Sequence, residues 1–186
     1  MRFTDEVIAT RTATPHETLR WFAIKTHNRA EQKAIDWLEG RGIECYIAMK
    51  HTKEQKHMVK RPAVAGLVFV RTTAEQLLEE QKRYGTDKMF IYFERPTNHP
   101  QEISDSQMIP FILLTANEGD ALEYIDSEIV EAKRGDMVRV TAGPFRGAIG
   151  KIIRIKGDRR LVVNIEGVTA VATHHLPSSM IEKIEE

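Results

Sequence analysis

The sequence predicts an α+β protein of two modules: an antiparallel sheet with covering helices over residues 20–116, then a small β-barrel over residues 133–186. Three observations carry this expectation. In the first module β-rich runs alternate with segments of helical periodicity, the pattern of helices laid over a sheet. The second module strings strand-like runs together through glycine-bearing turns. Between the two, residues 117–132 hold six acidic residues and no basic one, a composition that reads as a solvated acidic linker. Residues 1–19 are polar and aperiodic, a flexible tail that orders only when something holds it.

In chain order, Trp21 and Phe22 open a first strand over 21–26. Asn28 then offers an N-cap with Glu31 as its capping-box partner, after which Ala30, Ala34, Trp37 and Leu38 recur at helical spacing until Gly40 and Gly42. Trp37 falls on the apolar face and is expected in the core. Residues 43–49 make a second strand. The stretch KHTKEQKHMVKR at 50–61 is basic with almost no apolar content, so it reads as a hairpin or loop projecting into water, with an electrostatic contact to nucleic acid as the sharper alternative. Residues 64–71, VAGLVFVR, form the most apolar strand of this half and belong in the middle of the sheet. Thr73 with Gln76 caps a second helix carrying Leu77, Leu78 and Gln81 and ended by Gly85, and 88–93 is a further strand. In ISDSQMIPFILL, residues 103–114, Ser104 and Gln107 look like another cap, yet an interior Pro110 removes a helical hydrogen bond at a cost of ~3 kcal/mol, so the helix should start later or kink. Leu122, Ile125 and Ile129 give the acidic joint the option of a short helix.

The barrel is organised by residues 135–153, GDMVRVTAGPFRGAIGKII. Val138 and Val140 alternate with Arg139, and Ile149, Ile152 and Ile153 mark the return strand. Gly143 and Pro144 set a tight turn whose one large apolar residue is Phe145, either the plug of the barrel's open end or a docking residue for a partner. A hairpin at Gly157 and Asp158, strands LVVNI and TAVAT, and a last strand or helical turn around Ile181 and Ile184 complete the module. Gly135, Asp136, Val138, Val140, Gly143, Pro144, Phe145, Gly147 and Gly150 together resemble the KOW motif, whose modules are small SH3-like barrels. Ribosomal proteins and transcription factors share that motif, so it does not fix a function by itself.

Composition and motifs exclude several classes. A hydrophobic content of 41% is ordinary for a folded domain, and no apolar run approaches the ~18–20 residues that span a bilayer. The N-terminus has no apolar core of a secretory signal, so a cytoplasmic protein without a membrane partner is expected. Cys45 is the single cysteine, flanked by Ile43, Tyr46 and Ile47, and reads as a buried inert thiol. His174 and His175 are adjacent and point to opposite faces of a strand, while His51 and His57 lie in the polar stretch without a carboxylate cluster. No phosphate loop, nucleophile elbow, zinc-protease helix or dinucleotide fingerprint occurs, so no cofactor, no metal and no enzymatic activity are expected. Residues 20–116 carry 15 Lys and Arg against 12 Asp and Glu, and residues 133–186 carry 10 against 6, so each module has a basic excess that can touch phosphate.

The aromatic strand at Trp21 and Phe22, Asn28-x-x-Glu31 opening a helix, the strand Gly66 to Val70 reading GLVFV, and a KOW after a linker are similar to the NusG family of transcription elongation factors, over residues 20–186. The segments GRGIECYIAM and SDSQMIPFI look closer to the UpxY-type antiterminators of capsular polysaccharide operons. Ala65 stands where the family usually carries Pro before Gly66, which implies a less rigid turn. The resemblance implies a factor that suppresses pausing or termination without catalysis. Its N-terminal domain would dock an apolar patch on the clamp helices of the RNA polymerase largest subunit, and by position that patch comprises Val64, Leu67 and Phe69 with Lys25 and Tyr92 at its edge. Arg29, Lys33, Lys82 and Arg83 occupy places that meet non-template DNA or nascent RNA. Phe145 would serve a KOW partner such as a ribosomal protein or Rho, from a barrel moving independently on its acidic linker. The rival reading is a KOW-containing RNA-binding or ribosome-associated protein with no polymerase contact.

Overall fold

The computed structural model describes residues 18–27, 29–54, 57–116 and 122–184. The first module runs β1 (Arg20–Thr26), α1 (Glu31–Glu39), β2 (Glu44–Tyr46), β3 (Met49–Glu54), β4 (His57–Pro62), β5 (Leu67–Thr72), α2 (Ala74–Tyr84), β6 (Met89–Ile91) and α3 (Asp105–Ala116). Its sheet has the order β2-β5-β1-β6 with antiparallel pairing, so the most apolar strand is central as expected. The stretch read as one strand over 43–49 divides instead. β2 joins the sheet, whereas β3 leaves it to pair with β4 as a separate hairpin, the projecting basic element of 50–61.

Both faces of this sheet are apolar, so both must be covered. Phe22, Ile24, Val68 and Val70 face α1 and α2, where Ala34, Ile35, Leu38 and Leu77 close a core. Trp21, Ala23, Leu67 and Phe69 face the other way and meet Met108, Phe111 and Leu114 of α3. The two covering helices are clipped together at the buried carboxylate of Glu80. It accepts from Trp37 Nε1 at 3.1 Å, pairs with Arg41 at 2.8 Å and with Arg83 at 3.2 Å, and the Arg41 guanidinium sits 3.3 Å from the Trp37 ring centroid. A buried charge needs such partners. Trp37 is therefore half-buried, a bridge between core and ion pair.

The helix starts hold one surprise. Thr73 caps α2 as expected, its hydroxyl accepting from Gln76 N. At α1 the N-cap position is Ala30 with no side-chain cap bond, and Asn28 lies outside the described residues. Glu31, expected to complete a capping box, is buried and accepts instead from Gly66 N at 2.7 Å. That amide sits in the turn entering β5, where Gly66 has φ +78° and its carbonyl accepts from Thr26 N at 2.8 Å. A carboxylate on a buried N–H is worth more there than at a helix end already open to solvent. The third helix starts at Asp105 and runs through Pro110, so no later start accommodates the proline. Its lost bond is offset by burial of Met108, Pro110, Phe111 and Leu114.

The second module comprises β7 (Leu122–Ile125), α4 (Ser127–Glu131), β8 (Asp136–Val140), β9 (Ile149–Ile155), β10 (Asp158–Ile165), β11 (Thr169–His175), a 3-10 turn at Ser178–Met180 and β12 (Ile181–Lys183). Its sheet order is β12-β8-β9-β10-β11-β7. This corrects the acidic linker of 117–132. Residues 117–121 lie outside the described residues, but Leu122–Ile125 pairs with β11 and α4 packs Val130 against Ile153, Val162 and Ala170. Three of the acids here have partners within the module. Glu123 pairs with Arg160 and Lys156, Asp126 caps α4 on Glu128 N, and Glu131 accepts from Ser127, Asn164 and Gly167. The Arg160 hydrogen bond, with Lys156 adding to it, holds the Glu123 carboxyl below its ordinary value.

Two substitutions test this account. Gly66→Ala places a Cβ 2.4 Å from the Thr26 carbonyl oxygen at a positive φ, and should lower unfolding stability in urea by roughly 2–3 kcal/mol. Because the Glu123 value is lowered on folding, its contribution is complete above the unfolded carboxylate pKa and is lost as pH falls through the folded one. Glu123→Gln should therefore lower the melting temperature at neutral pH, where Arg160 loses its counter-charge, and flatten the acid limb of the melting temperature against pH below about pH 5.

Candidate functional site

Register places most of the expected docking patch on one face of the first sheet. Lys25 pairs with Leu67 and Ala23 with Phe69, so Lys25, Leu67 and Phe69 share the side that also carries Trp21, and Tyr92 N donates to Ala23 O at the neighbouring edge. Val64 lies in the turn before β5, half-buried beside them. Within this group, accessibility is uneven. Leu67 and Phe69 are 5% and 1% exposed, and the Phe69 ring stands edge-on to Phe111 with centroids 5.2 Å apart. As placed, these two residues are core beneath α3 rather than an open patch, because an apolar helix covers the face that the strand pattern left vacant. Lys25 is exposed and Tyr92 half-buried, its hydroxyl pKa raised by burial. Phe90, opposite Lys25 in register and 38% exposed, joins them as an accessible apolar residue that the sequence reading passed over.

The barrel covers what α3 leaves. One continuous apolar cluster contains Leu67, Phe69, Phe111 and Leu114 of the first module together with Phe145, Ala148, Leu161 and Val163 of the second. Gly147 lies close against Leu113, a Cβ at that position standing 3.9 Å from Leu113 Cδ2. Gln101 Nε2 donates to Glu166 O at 2.6 Å, a direct bond between modules. Tyr46 and Thr115 share a hydroxyl pair at 2.6 Å, and since Thr115 Oγ1 donates to Phe111 O at 2.7 Å, Tyr46 is the donor of that pair. The Tyr124 hydroxyl is buried without a hydrogen-bond partner among the described residues, and burial, with Tyr46 nearby, pushes its pKa up. A cleft of about 560 Å³ remains between Val64 and the Tyr124–Glu128 and Gly167–Thr169 segments. The expectation of modules without a shared surface is thus replaced by an apolar interface.

Phe145 is 8% exposed and buried in that same cluster, so it is the plug of the turn and not a free docking residue. The turn is held by Gly147 N to Val140 O at 2.8 Å, with Gly143 and Gly147 both at positive φ. The candidate nucleic-acid cations sit elsewhere. Arg29 precedes α1, Lys33 lies on α1, and Lys82 and Arg83 end α2, all exposed. These helices cover the opposite face of the sheet from α3. Arg83 is already paired with Glu79 and Glu80, so among these four it is the least available to phosphate. Cys45 is half-buried and its thiol is pushed up to about 12, chiefly by burial, in keeping with an inert group. Among the described residues no group of His, Cys, Asp and Glu is arranged to hold a metal ion, and no helix is long and apolar enough to cross a membrane.

The molecule is thus a helix-covered antiparallel sheet joined to a barrel built on a Gly-Pro-Phe turn. The sequence profile described as transcription termination factor nusG matches residues 19–112, and that of the KOW motif matches residues 134–166. The chain belongs to the NusG family. Curated relatives include the large ribosomal subunit protein uL24 of Flavobacterium johnsoniae, 40% identical over 50 residues, and that of Flavobacterium psychrophilum, 38% identical over 50 residues. Each match covers 27% of this chain and 47% of the relative, so the chain spans about half the length of the curated relatives it matches. A solved structure described as "Domain interaction in Thermotoga maritima NusG" is 22% identical with a TM-score of 0.47, covering 90% of this chain and 98% of that one.

The burial of Phe69 makes a clear expectation. Phe69→Ala should lower unfolding stability by about 3–5 kcal/mol in chemical denaturation, the range of a fully packed aromatic.

Proposed function

We propose that this protein is an elongation and antitermination factor that docks on the clamp helices of the RNA polymerase largest subunit through the α3-side face of its first sheet. The observation that carries the reading is the register that puts Lys25, Leu67, Phe69, Phe90 and Tyr92 on one face of the module matched by the family profile. Buried Leu67 and Phe69 shape that face from beneath, while Lys25, Val64, Phe90 and Tyr92 make the contact. The factor acts without catalysis, by bridging the polymerase cleft and disfavouring paused states. Arg29, Lys33 and Lys82, on the opposite helical layer, meet non-template DNA or nascent RNA. The barrel recruits a ribosomal protein or Rho, and the operons served are those of polysaccharide biosynthesis, of the UpxY type, in the cytoplasm.

Polymerase and barrel compete for neighbouring apolar surface in this scheme, since the barrel packs on α3 and its Tyr124 lies across the cleft from Val64. Apparent affinity is then divided by the fraction of molecules in which the barrel has moved away. The second reading, an RNA-binding or ribosome-associated KOW protein, is favoured by the two ribosomal relatives. Salt separates the two, because phosphate contacts weaken steeply with ionic strength and apolar docking does not.

Binding of the full chain to core RNA polymerase, measured by fluorescence anisotropy, tests the proposal. Phe90→Asp, at an exposed position, should weaken binding at least tenfold, and Leu113→Arg, which unseats the barrel, should tighten it several-fold. Wild-type affinity in the first variant removes the face from the interface, and complete loss of binding above moderate salt favours the RNA-binding reading.

A further inference from the structure

The docking face includes a turn that does not hold itself. Residues 63–66 lead from β4 into β5, and Val64, one of the contact residues, lies within them. Ala65 is exposed and has no ring to fix its φ. Among the described residues no hydrogen bond reaches the amide of either one, and the bond across the turn, Leu67 N to Val64 O, is long at 3.3 Å. Packing does not compensate on the barrel side, where Ala63 and Val64 form one wall of the cleft of about 560 Å³.

The turn is set from its ends. At the start, Ala63 N donates to Ala48 O at 2.8 Å. At the far end Gly66 is gripped on both sides: its amide donates to Glu31 Oε1 at 2.7 Å, and its carbonyl accepts from Thr26 N at 2.8 Å and from Thr26 Oγ1 at 3.4 Å. Gly66 also lies against Lys25, whose Cγ stands 3.6 Å from where a glycine-to-alanine change would place a Cβ. Lys25 in turn pairs with Leu67 on one side and Phe90 on the other. The Glu31 bond therefore ends at a residue that touches the docking group in two directions. Glu31 itself is 5% exposed and, among the described residues, has no cation within salt-bridge distance. Glu80, the other buried carboxylate of this module, is held by Arg41 and Arg83. A buried carboxylate with a backbone amide as its partner is costly to keep, and the Gly66 bond is what offsets that cost.

We infer that Glu31 is a positioning residue for polymerase docking, an inference that rests on the docking face proposed above. By holding the Gly66 amide it fixes Val64 and Lys25 at the spacing the partner surface meets. Being buried, it touches no partner itself. Its helix, α1, covers the face of the sheet opposite α3, so the bond makes the docking turn answer to the position of that other layer. Losing the acceptor leaves the turn free to sample other arrangements, and apparent affinity falls with the fraction of molecules that remain competent.

The test measures binding of the full chain to core RNA polymerase by fluorescence anisotropy, alongside hydrogen exchange at the Gly66 amide. Glu31→Ala removes the acceptor. It should speed exchange at Gly66 by about tenfold and weaken polymerase binding by about five- to tenfold. Glu31→Gln keeps a carbonyl acceptor at the same reach, so it should restore both the protection and an affinity within about twofold of wild type. Leu77→Ala, in the core between the sheet and α2, is the stability control: it should lower the melting temperature at least as much as Glu31→Ala and leave affinity unchanged. Unchanged affinity in Glu31→Ala, while Phe90→Asp still weakens binding, overturns the positioning role and leaves the docking face standing. Equal losses in the Gln and Ala variants overturn it too, by assigning the effect to charge, and so does an equal loss in Leu77→Ala, which would reduce it to stability. Wild-type affinity in Phe90→Asp overturns the docking face itself, and this inference with it.

Discussion

The arrangement depends on one helix that is apolar nearly all round. Residues 108–114 of α3 form an unbroken apolar run, and a helix of that kind has no side it can leave in water without loss. One flank takes Phe111 and Leu114 down onto Phe69 and Leu67, which spares the bare sheet face from solvent. The other flank, with Leu113, must meet something else, and the barrel's glycine turn and β10 meet it. Gly147 matters here for its φ of +92°, which the turn against Leu113 requires, since a Cβ would meet Leu113 only at an ordinary 3.9 Å. The position of the second module is thus a consequence of covering α3 rather than a feature of either module alone.

The elements with strong local signals were legible from sequence. Thr73 capped its helix, the GLVFV strand took the centre of the sheet, and the Gly-Pro-Phe turn closed a barrel with Phe145 at its heart. The failures share one physical cause: a residue's local option lost to a distant partner. Glu31 had a capping role within its own helix but found the Gly66 amide instead, thirty-five positions away in sequence. Glu123 looked like part of a repelling acidic run until Arg160 of β10 reached it. Leu67 and Phe69 alternated as an outward face should, and only the all-round apolarity of residues 108–114 could have warned that the face was already taken. That signal was present in PFILL and was read as a problem with Pro110.

Charge placement separates the two surfaces that remain. On the first module the cations near the helices are partly spent on intrahelical carboxylates, as Arg83 is. On the barrel Arg134, Arg154 and Arg159 line one groove beside the β9–β10 hairpin, while Phe145 and Ala148 bury apolar surface toward α3.

Annexing Leu122–Ile125 to the barrel shortens the leash between the modules. From Ala116, the last residue of α3, to Leu122, the first of β7, there are six backbone steps, which however arranged span at most about 22 Å. A barrel that lifts off α3 therefore remains confined to a small volume around it, at an effective concentration on the order of tens of millimolar. Any partner of the covered face competes against that concentration weighed by the barrel's own affinity for α3, so weak binders are penalised most. Selectivity for a tightly held partner is thereby written into six backbone steps rather than into the contact residues.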